Sequence, residues 1–96
     1  MALLSDVQRK ILAELEEAAK ALSQRELVYC SEWLGYMPFG AYHWVEVCGE
    51  DVSTRFPAGW QQVDLQQLER AGCLRQLGRW QDPDDEHHYK LTYALV

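Results

Sequence analysis

The chain has 96 residues, 48% hydrophobic and 25% charged, and its formal net charge is −6. This size leaves room for one core, so we expect a single domain over residues 1–96 with little space for an enzyme pocket. The acidic balance disfavours nucleic acid, and no apolar run reaches the ~20 residues of a membrane span.

The N-terminus lacks the basic and apolar regions of a signal peptide, so we expect a cytoplasmic protein. Its three cysteines, Cys30, Cys48 and Cys73, are widely spaced and form no Cys-x-x-Cys pair. This spacing predicts neither a disulfide scaffold nor a zinc cluster. We expect them to act as small buried or half-buried hydrophobic residues.

The first predicted helix covers about residues 6–22. Ser5 and Gln8 have the spacing of a capping box, in which each side chain bonds the backbone N–H of the other residue. Apolar residues then recur at three- and four-residue steps and would form one buried stripe. They are Val7, Ile11, Leu15, Ala18 and Leu22.

A second helix is predicted to follow almost without a linker. Ser23 and Glu26 have capping-box spacing, and Gly35 would end the helix in a left-handed conformation. The apolar stripe of this helix would comprise Leu27, Cys30 and Leu34. The segment 42–56 is rich in aromatic and β-branched residues and predicts an extra β-hairpin, with a helical turn over 42–47 as the open alternative.

The third helix is predicted to end at Ala71, before Gly72, and to start at either Trp60 or Leu65. Asp64 and Gln67 have box-like spacing, with Val63 and Leu68 as staple residues. Two strands follow, over about 74–80 and 88–95, and the second alternates strictly between apolar and polar residues. We expect Leu65, Leu68, Leu91 and Tyr93 to converge beneath this hairpin.

The segment Leu65–Thr92 resembles the helix and wing of winged helix-turn-helix proteins, particularly MarR-type regulators. The matching residues are Leu68-Glu-Arg-Ala-Gly-Cys-Leu74, the acidic turn Asp82-Pro-Asp-Asp-Glu86, and Leu91-Thr92. The resemblance implies an α+β, winged-helix-like domain with three helices and a C-terminal β-hairpin wing, to which the hairpin at 42–56 would be an addition. Winged helices serve both as DNA-binding domains and as protein-binding modules.

Two functions are compatible with this fold. The first is a small non-enzymatic regulatory module acting through protein–protein contacts or self-association, favoured by the net charge and by a turn at 82–86 that has no arginine. An exposed aromatic patch would supply the contacts, unless the same residues form the core. The patch comprises Trp33, Tyr36, Phe39, Tyr42 and Trp44.

The alternative function is that of a DNA-binding transcriptional regulator. Residues 55–80 carry four arginines against two acids, which makes this stretch locally basic. Base edges would be contacted by Gln62, Gln66 and Arg70, and phosphates by Arg75, Arg79 and Lys90. The plain interpretation of the same residues is a solvated surface.

Metal, cofactor and catalytic sites are not predicted. The acidic and histidine residues at 82–88, with His43, match neither a calcium loop nor a zinc motif. His87 and His88 are neighbours on a strand and would point to opposite faces. No cysteine or histidine has a recognisable activating partner in the sequence, so we expect no enzyme.

Overall fold

The computed structural model describes residues 3–34 and 40–96, which form an α+β structure. The described chain runs through α1 (Asp6–Leu22), β1 (Glu26–Leu34), β2 (Gly40–Val47), β3 (Glu50–Asp51), a 3-10 turn (Ser53–Arg55), α2 (Gln62–Arg70), β4 (Leu74–Gln81) and β5 (Tyr89–Leu95). The strands make one antiparallel sheet in the order β3-β2-β1-β5-β4. Neither described helix has the length and apolar character needed to cross a membrane.

Helix α1 confirms the prediction for residues 6–22. The backbone N–H of Gln8 donates to Ser5 Oγ at 3.1 Å, and the N–H of Ser5 donates to Gln8 Oε1 at 3.0 Å, which completes the capping box. Helix α2 starts at Gln62, between the two predicted starts. Its N-terminus is capped one turn earlier than expected, because Asp64 Oδ2 accepts the N–H of Gln61 at 2.9 Å.

The second predicted helix is wrong, since its residues form β1. Ser23 does not begin a helix but ends α1 in a left-handed conformation, with φ at 53°. Beyond it, Leu27 and Tyr29 point inward while Val28 is only half-buried, which is the period of a strand. Gly35, the predicted stop, lies outside the described residues.

The winged-helix architecture is also wrong. The predicted wing strands do pair as β4 and β5, but β5 pairs on its other side with β1, with Tyr29 opposite Leu91. The hairpin is therefore part of a five-stranded sheet rather than a flap beside three helices. The hairpin predicted at 42–56 is present in part, as β2 and the two-residue β3, and joins the same sheet.

Both helices pack on one side of the sheet, which we call the helical face. Their buried residues meet side chains from β1, β2, β4 and β5 in one core cluster. Its most buried members are Ile11, Leu15, Leu27, Val45, Leu65, Leu68 and Tyr93. This cluster includes all four residues that were expected to converge, namely Leu65, Leu68, Leu91 and Tyr93.

The opposite side of the sheet, which we call the open face, has no described helix against it. Its side chains are those that alternate with the core residues along each strand. They are Glu26, Val28, Cys30 and Glu32 of β1, Tyr42, Trp44 and Glu46 of β2, Lys90, Thr92 and Ala94 of β5, and Arg75 and Trp80 of β4. A sheet with one covered face thus leaves aromatic and charged groups on its other face.

Candidate functional site

Four of the six residues predicted to contact nucleic acid lie together in a groove between α2 and β4. Gln62, Gln66 and Arg70 come from α2, and Arg79 comes from β4. The groove has a volume of about 310 Å³ and is also lined by Glu69, Gln76, Leu91 and Tyr93. We call it the arginine groove.

Arg79 is held in place by its neighbours. Its guanidinium carbon lies 5.3 Å from the centre of the Tyr89 ring, and its Nη2 donates to Gln81 Oε1 at 3.0 Å. In the part of the chain that the structure describes, neither Arg79 nor Arg70 has a carboxylate within 4.0 Å. The positive charge of the groove is therefore available to a ligand.

The other two predicted contacts lie elsewhere. Arg75 is opposite Ala94, and Lys90 is opposite Cys30 and Trp80, so both belong to the open face. The sheet therefore does not place all six predicted contact residues on a single surface. The sequence did not reveal this division because it depends on the register of β4, which shifts at a bulge between Gln76 and Gly78.

A second cleft adjoins the arginine groove at Gln62. It has a volume of about 290 Å³, and Tyr29, Ser31, His43, Gln61, Gln62, His87 and Tyr89 line it. The Tyr89 hydroxyl donates to Gln62 Oε1 at 2.7 Å, so this bond lies between the two cavities. The cleft was not predicted from the sequence. Tyr29 and Ser31 are two residues apart, and this spacing puts both on one face once β1 is known to be a strand.

His43 is the titratable group at the centre of this cleft. Its ring stacks on Trp60 with 4.1 Å between ring centroids, and its Nδ1 lies 3.0 Å from the Tyr29 hydroxyl. Burial lowers the pKa of His43 below its usual 6.5. Burial likewise raises the pKa of Tyr29, so both groups are neutral near pH 7 and the cleft offers hydrogen bonds rather than charge.

The predicted aromatic patch is divided between the two faces of the sheet. Trp33 has 45% of its surface exposed, and the centroid of its ring lies 5.6 Å from that of the His87 ring. Tyr42 and Trp44 lie on the open face, opposite Glu32 and Cys30 respectively. The remaining two members, Tyr36 and Phe39, lie outside the described residues.

Trp44 is fixed on the open face by a polar contact. Its Nε1 donates to Glu46 Oε2 at 2.5 Å, and Cys30 Sγ lies 3.7 Å from the same oxygen. Cys30 is only 2% exposed. Its burial, reinforced by the charge of Glu46, raises the thiol pKa to about 11, so Cys30 is protonated and inert at neutral pH.

Trp44 is also the end of a row that runs across the open face. Strand pairing places Trp44 beside Cys30, Cys30 beside Lys90, and Lys90 beside Trp80. Trp80 is 47% exposed, and its ring meets the edge of the His88 ring at 5.0 Å. Trp80 was not among the predicted contact residues, because only the register of β4 shows that it shares a row with Trp44.

The acidic turn between β4 and β5 is organised by its own hydrogen bonds. The backbone N–H of Asp84 donates to Asp82 Oδ1 at 2.8 Å, and His88 Nδ1 lies 3.0 Å from Asp82 Oδ2. These bonds, that from Asp84 foremost, lower the pKa of Asp82. Across residues 3–34 and 40–96, no three His, Cys, Asp or Glu side chains are grouped as metal ligands.

Comparison of the chain with protein-family models, curated proteins and solved structures gave no match in any of the three. No related protein therefore supports the winged-helix resemblance. The function of these surfaces has to follow from their own geometry and charge.

Proposed function

We propose that this protein is a non-enzymatic interaction module that associates with a second copy of itself through the open face. The observation that carries the proposal is the Trp44–Cys30–Lys90–Trp80 row, which has a tryptophan at each end. Tryptophan is among the residues most often found at the energetic centre of protein interfaces. The row lies on the side of the sheet that neither described helix covers.

The row is suited to a twofold dimer. A twofold axis parallel to the strands and passing between β1 and β5 would place β1 over the partner's β5, and β2 over the partner's β4. Trp44 would then meet the partner's Trp80, and Trp80 would meet the partner's Trp44. An isologous contact needs this kind of self-complementarity, in which one surface supplies both halves of each pair.

The charges on the open face support the same axis. Glu26 and Glu32 on β1 and Glu46 on β2 make one half acidic, while Lys90 on β5 and Arg75 on β4 make the other half basic. Rotation about an axis along the strands brings the acidic half of one copy over the basic half of the other. Complementary charges of this kind select the partner and its orientation more than they add affinity.

The size of the face indicates a weak, reversible contact. Four strands about 4.8 Å apart and about seven residues long give a flat area of roughly 450 Å² per protomer. Two such surfaces give about 900 Å², which is in the range of transient interfaces.

Sedimentation velocity over ~10 µM to ~1 mM protein tests the proposal, with the wide range chosen to bracket a transient interface. We expect the average mass to rise toward that of a dimer, and Trp80→Ser to weaken association at least about tenfold because it removes an aromatic anchor from each copy. Val63→Ser is the matched control, since Val63 is similarly exposed at 49% but lies on α2. A parent that remains monomeric throughout would contradict the proposal.

A pair of charge variants tests the orientation. Arg75→Glu replaces a positive charge in the basic half of the open face with a negative one. That negative charge would face the acidic half of the partner, so the variant should weaken the dimer. Arg55→Glu makes the same change in net charge on the 3-10 turn, away from this face, and should not. Equal effects of the two variants would show that net charge, rather than the face, controls association.

The proposed module acts by association and not by chemistry, and we place it in the cytosol. All three cysteines are free thiols, as expected in a reducing compartment.

A further inference from the structure

We propose that the arginine groove is a second binding site, which takes a short acidic peptide segment. The groove lies on the helical face between α2 and β4, so it is separate from the open face. Gln62, Gln66 and Arg70 form one wall, and Gln76 and Arg79 the other. The two sites would therefore operate independently, and the loss of one would leave the other in place.

The two arginines are the basis of the assignment. An arginine that has no carboxylate of its own chain nearby can bind one from a ligand. Within the described residues, Arg70 and Arg79 have none within 4.0 Å, although they line the same groove. An arginine binds a carboxylate through two parallel N–H bonds, so two of them can hold two acidic side chains.

The side chain of Arg79 is also restricted in the free protein, before any ligand binds. Its contact with the Tyr89 ring and its bond to Gln81 restrict the guanidinium before any ligand arrives. Restricting a flexible side chain in the free protein lowers the entropy lost on binding.

The glutamines indicate a peptide rather than a simple inorganic anion. The side-chain amides of Gln66 and Gln76 each offer both a donor and an acceptor, and Gln62 offers its donor, since its Oε1 already accepts from Tyr89. A peptide backbone presents the same two groups at every residue. The groove volume of about 310 Å³ equals about ten water molecules, which is enough for two or three residues of an extended segment.

Two features disfavour a long polyanion such as duplex DNA. The acidic turn begins only three residues beyond Arg79, at Asp82, and the whole chain carries a net charge of −6. Glu69 lines the groove as well, where its Oε2 accepts the N–H of Gln76 at 3.4 Å. A short ligand can avoid these carboxylates, whereas an extended phosphate backbone would run along them.

Isothermal titration at low salt tests the site with a blocked pentapeptide of three glutamates flanked by glycines. We expect saturable binding that Arg79→Gln and Arg70→Gln each weaken by about tenfold, because each removes a charge-assisted bond pair. Arg55→Gln is the matched control, with the same change of charge on the 3-10 turn, away from both the groove and the open face, and should retain binding within about twofold. Near-ultraviolet circular dichroism shows whether each variant is folded.

Three outcomes would overturn the assignment. The first is no heat of binding with the glutamate peptide at millimolar concentration. The second is equal loss in the Arg55→Gln control. The third is tighter binding of a 12-base-pair duplex that depends on Arg70 and Arg79, which would make the groove a nucleic-acid site. Because the open face is not involved, none of these results bears on the dimer.

Discussion

At the scale of single residues, His43 makes a specific contribution to the dependence of stability on pH. The ring is packed between the Tyr29 hydroxyl and the Trp60 ring, and burial lowers its pKa in the folded state. The unfolded chain therefore binds a proton near the usual pKa of 6.5, while the folded chain resists it. Above that pH both states are neutral, and His43 adds no dependence on pH.

We predict that stability decreases as the pH falls from 6.5 toward 5, and that His43→Gln reduces this slope. The unfolded state binds more protons in that window, so the free energy of unfolding must fall with pH. Urea denaturation at several pH values between 5 and 7.5 measures the slope. The amide of glutamine can still bond Tyr29, which limits the structural cost of the substitution.

The control for His43 is its neighbour in the cleft, His87, whose side chain is exposed. His87→Gln removes an exposed imidazole from the same cleft, and its slope is measured beside that of His43→Gln. An equal slope in the parent protein and in His43→Gln would contradict the assignment of the pH dependence to the buried ring.

Ser23 shows how one residue can carry two contradictory signals. With Glu26 it has the spacing of a helix N-cap, and the sequence alone gave no reason to doubt it. In the structure its own backbone has a φ of 53° and its N–H donates to the carbonyl of Ala19, so it ends the preceding helix. A capping box requires a helix after it, and the residues after Ser23 are taken up by strand pairing.

At the scale of elements, the sequence of β1 fits both the period of a helix and the period of a strand. Leu27, Cys30 and Leu34 recur as a helix requires, while Leu27 and Tyr29 alternate with half-buried Val28 as a strand requires. The structure selects the strand because β1 pairs on both sides, with β2 and with β5. Helix α1 and β5 had only one period each, and the positions of α1, β4 and β5 were predicted within about two residues.

The turn between β2 and β3 gives a prediction at the same scale. Cys48 and Gly49 both have positive φ, at 54° and 80°, as in a type I′ hairpin turn. Asparagine is favoured before glycine in this turn, whereas cysteine is strained there. We predict that Cys48→Asn raises the free energy of unfolding by roughly 0.5–1 kcal/mol, measured by urea denaturation.

Cys48→Val is the opposing test of that turn. A β-branched residue is disfavoured at positive φ, so this variant should be less stable than the parent protein. Cys48 is exposed, which means that neither substitution disturbs the core. A more stable valine variant would show that backbone strain does not govern this position.

At the scale of the whole molecule, the partnership between β1 and β5 determines the fold, and it joins residues about 60 positions apart in sequence. Local patterns predicted that β4 and β5 pair, but not that β5 has a second neighbour. Prediction of the two sites likewise depends on knowing which strands are neighbours. The arginine groove was partly foreseen because Gln62, Gln66 and Arg70 share one helix, whereas the Trp44–Trp80 row joins two strands through two others.

This arrangement predicts a distinctive pattern of amide hydrogen exchange in β5. In a two-stranded hairpin only every second residue of a strand has its N–H bonded to the neighbouring strand, and the others face solvent. Here β5 lies between β1 and β4, so the consecutive amides of Leu91, Thr92 and Tyr93 should all be protected. The edge strand β4 should show alternating protection over residues 74–76 and again over 78–81, on either side of its bulge, with its open amides exchanging at least about 100-fold faster than those of β5. Residue-resolved exchange measured by NMR at a concentration that keeps the protein monomeric would distinguish the two patterns. Alternation in β5 like that in β4 would mean that β1 does not pair with it, and both the open face and its tryptophan row would then be wrong.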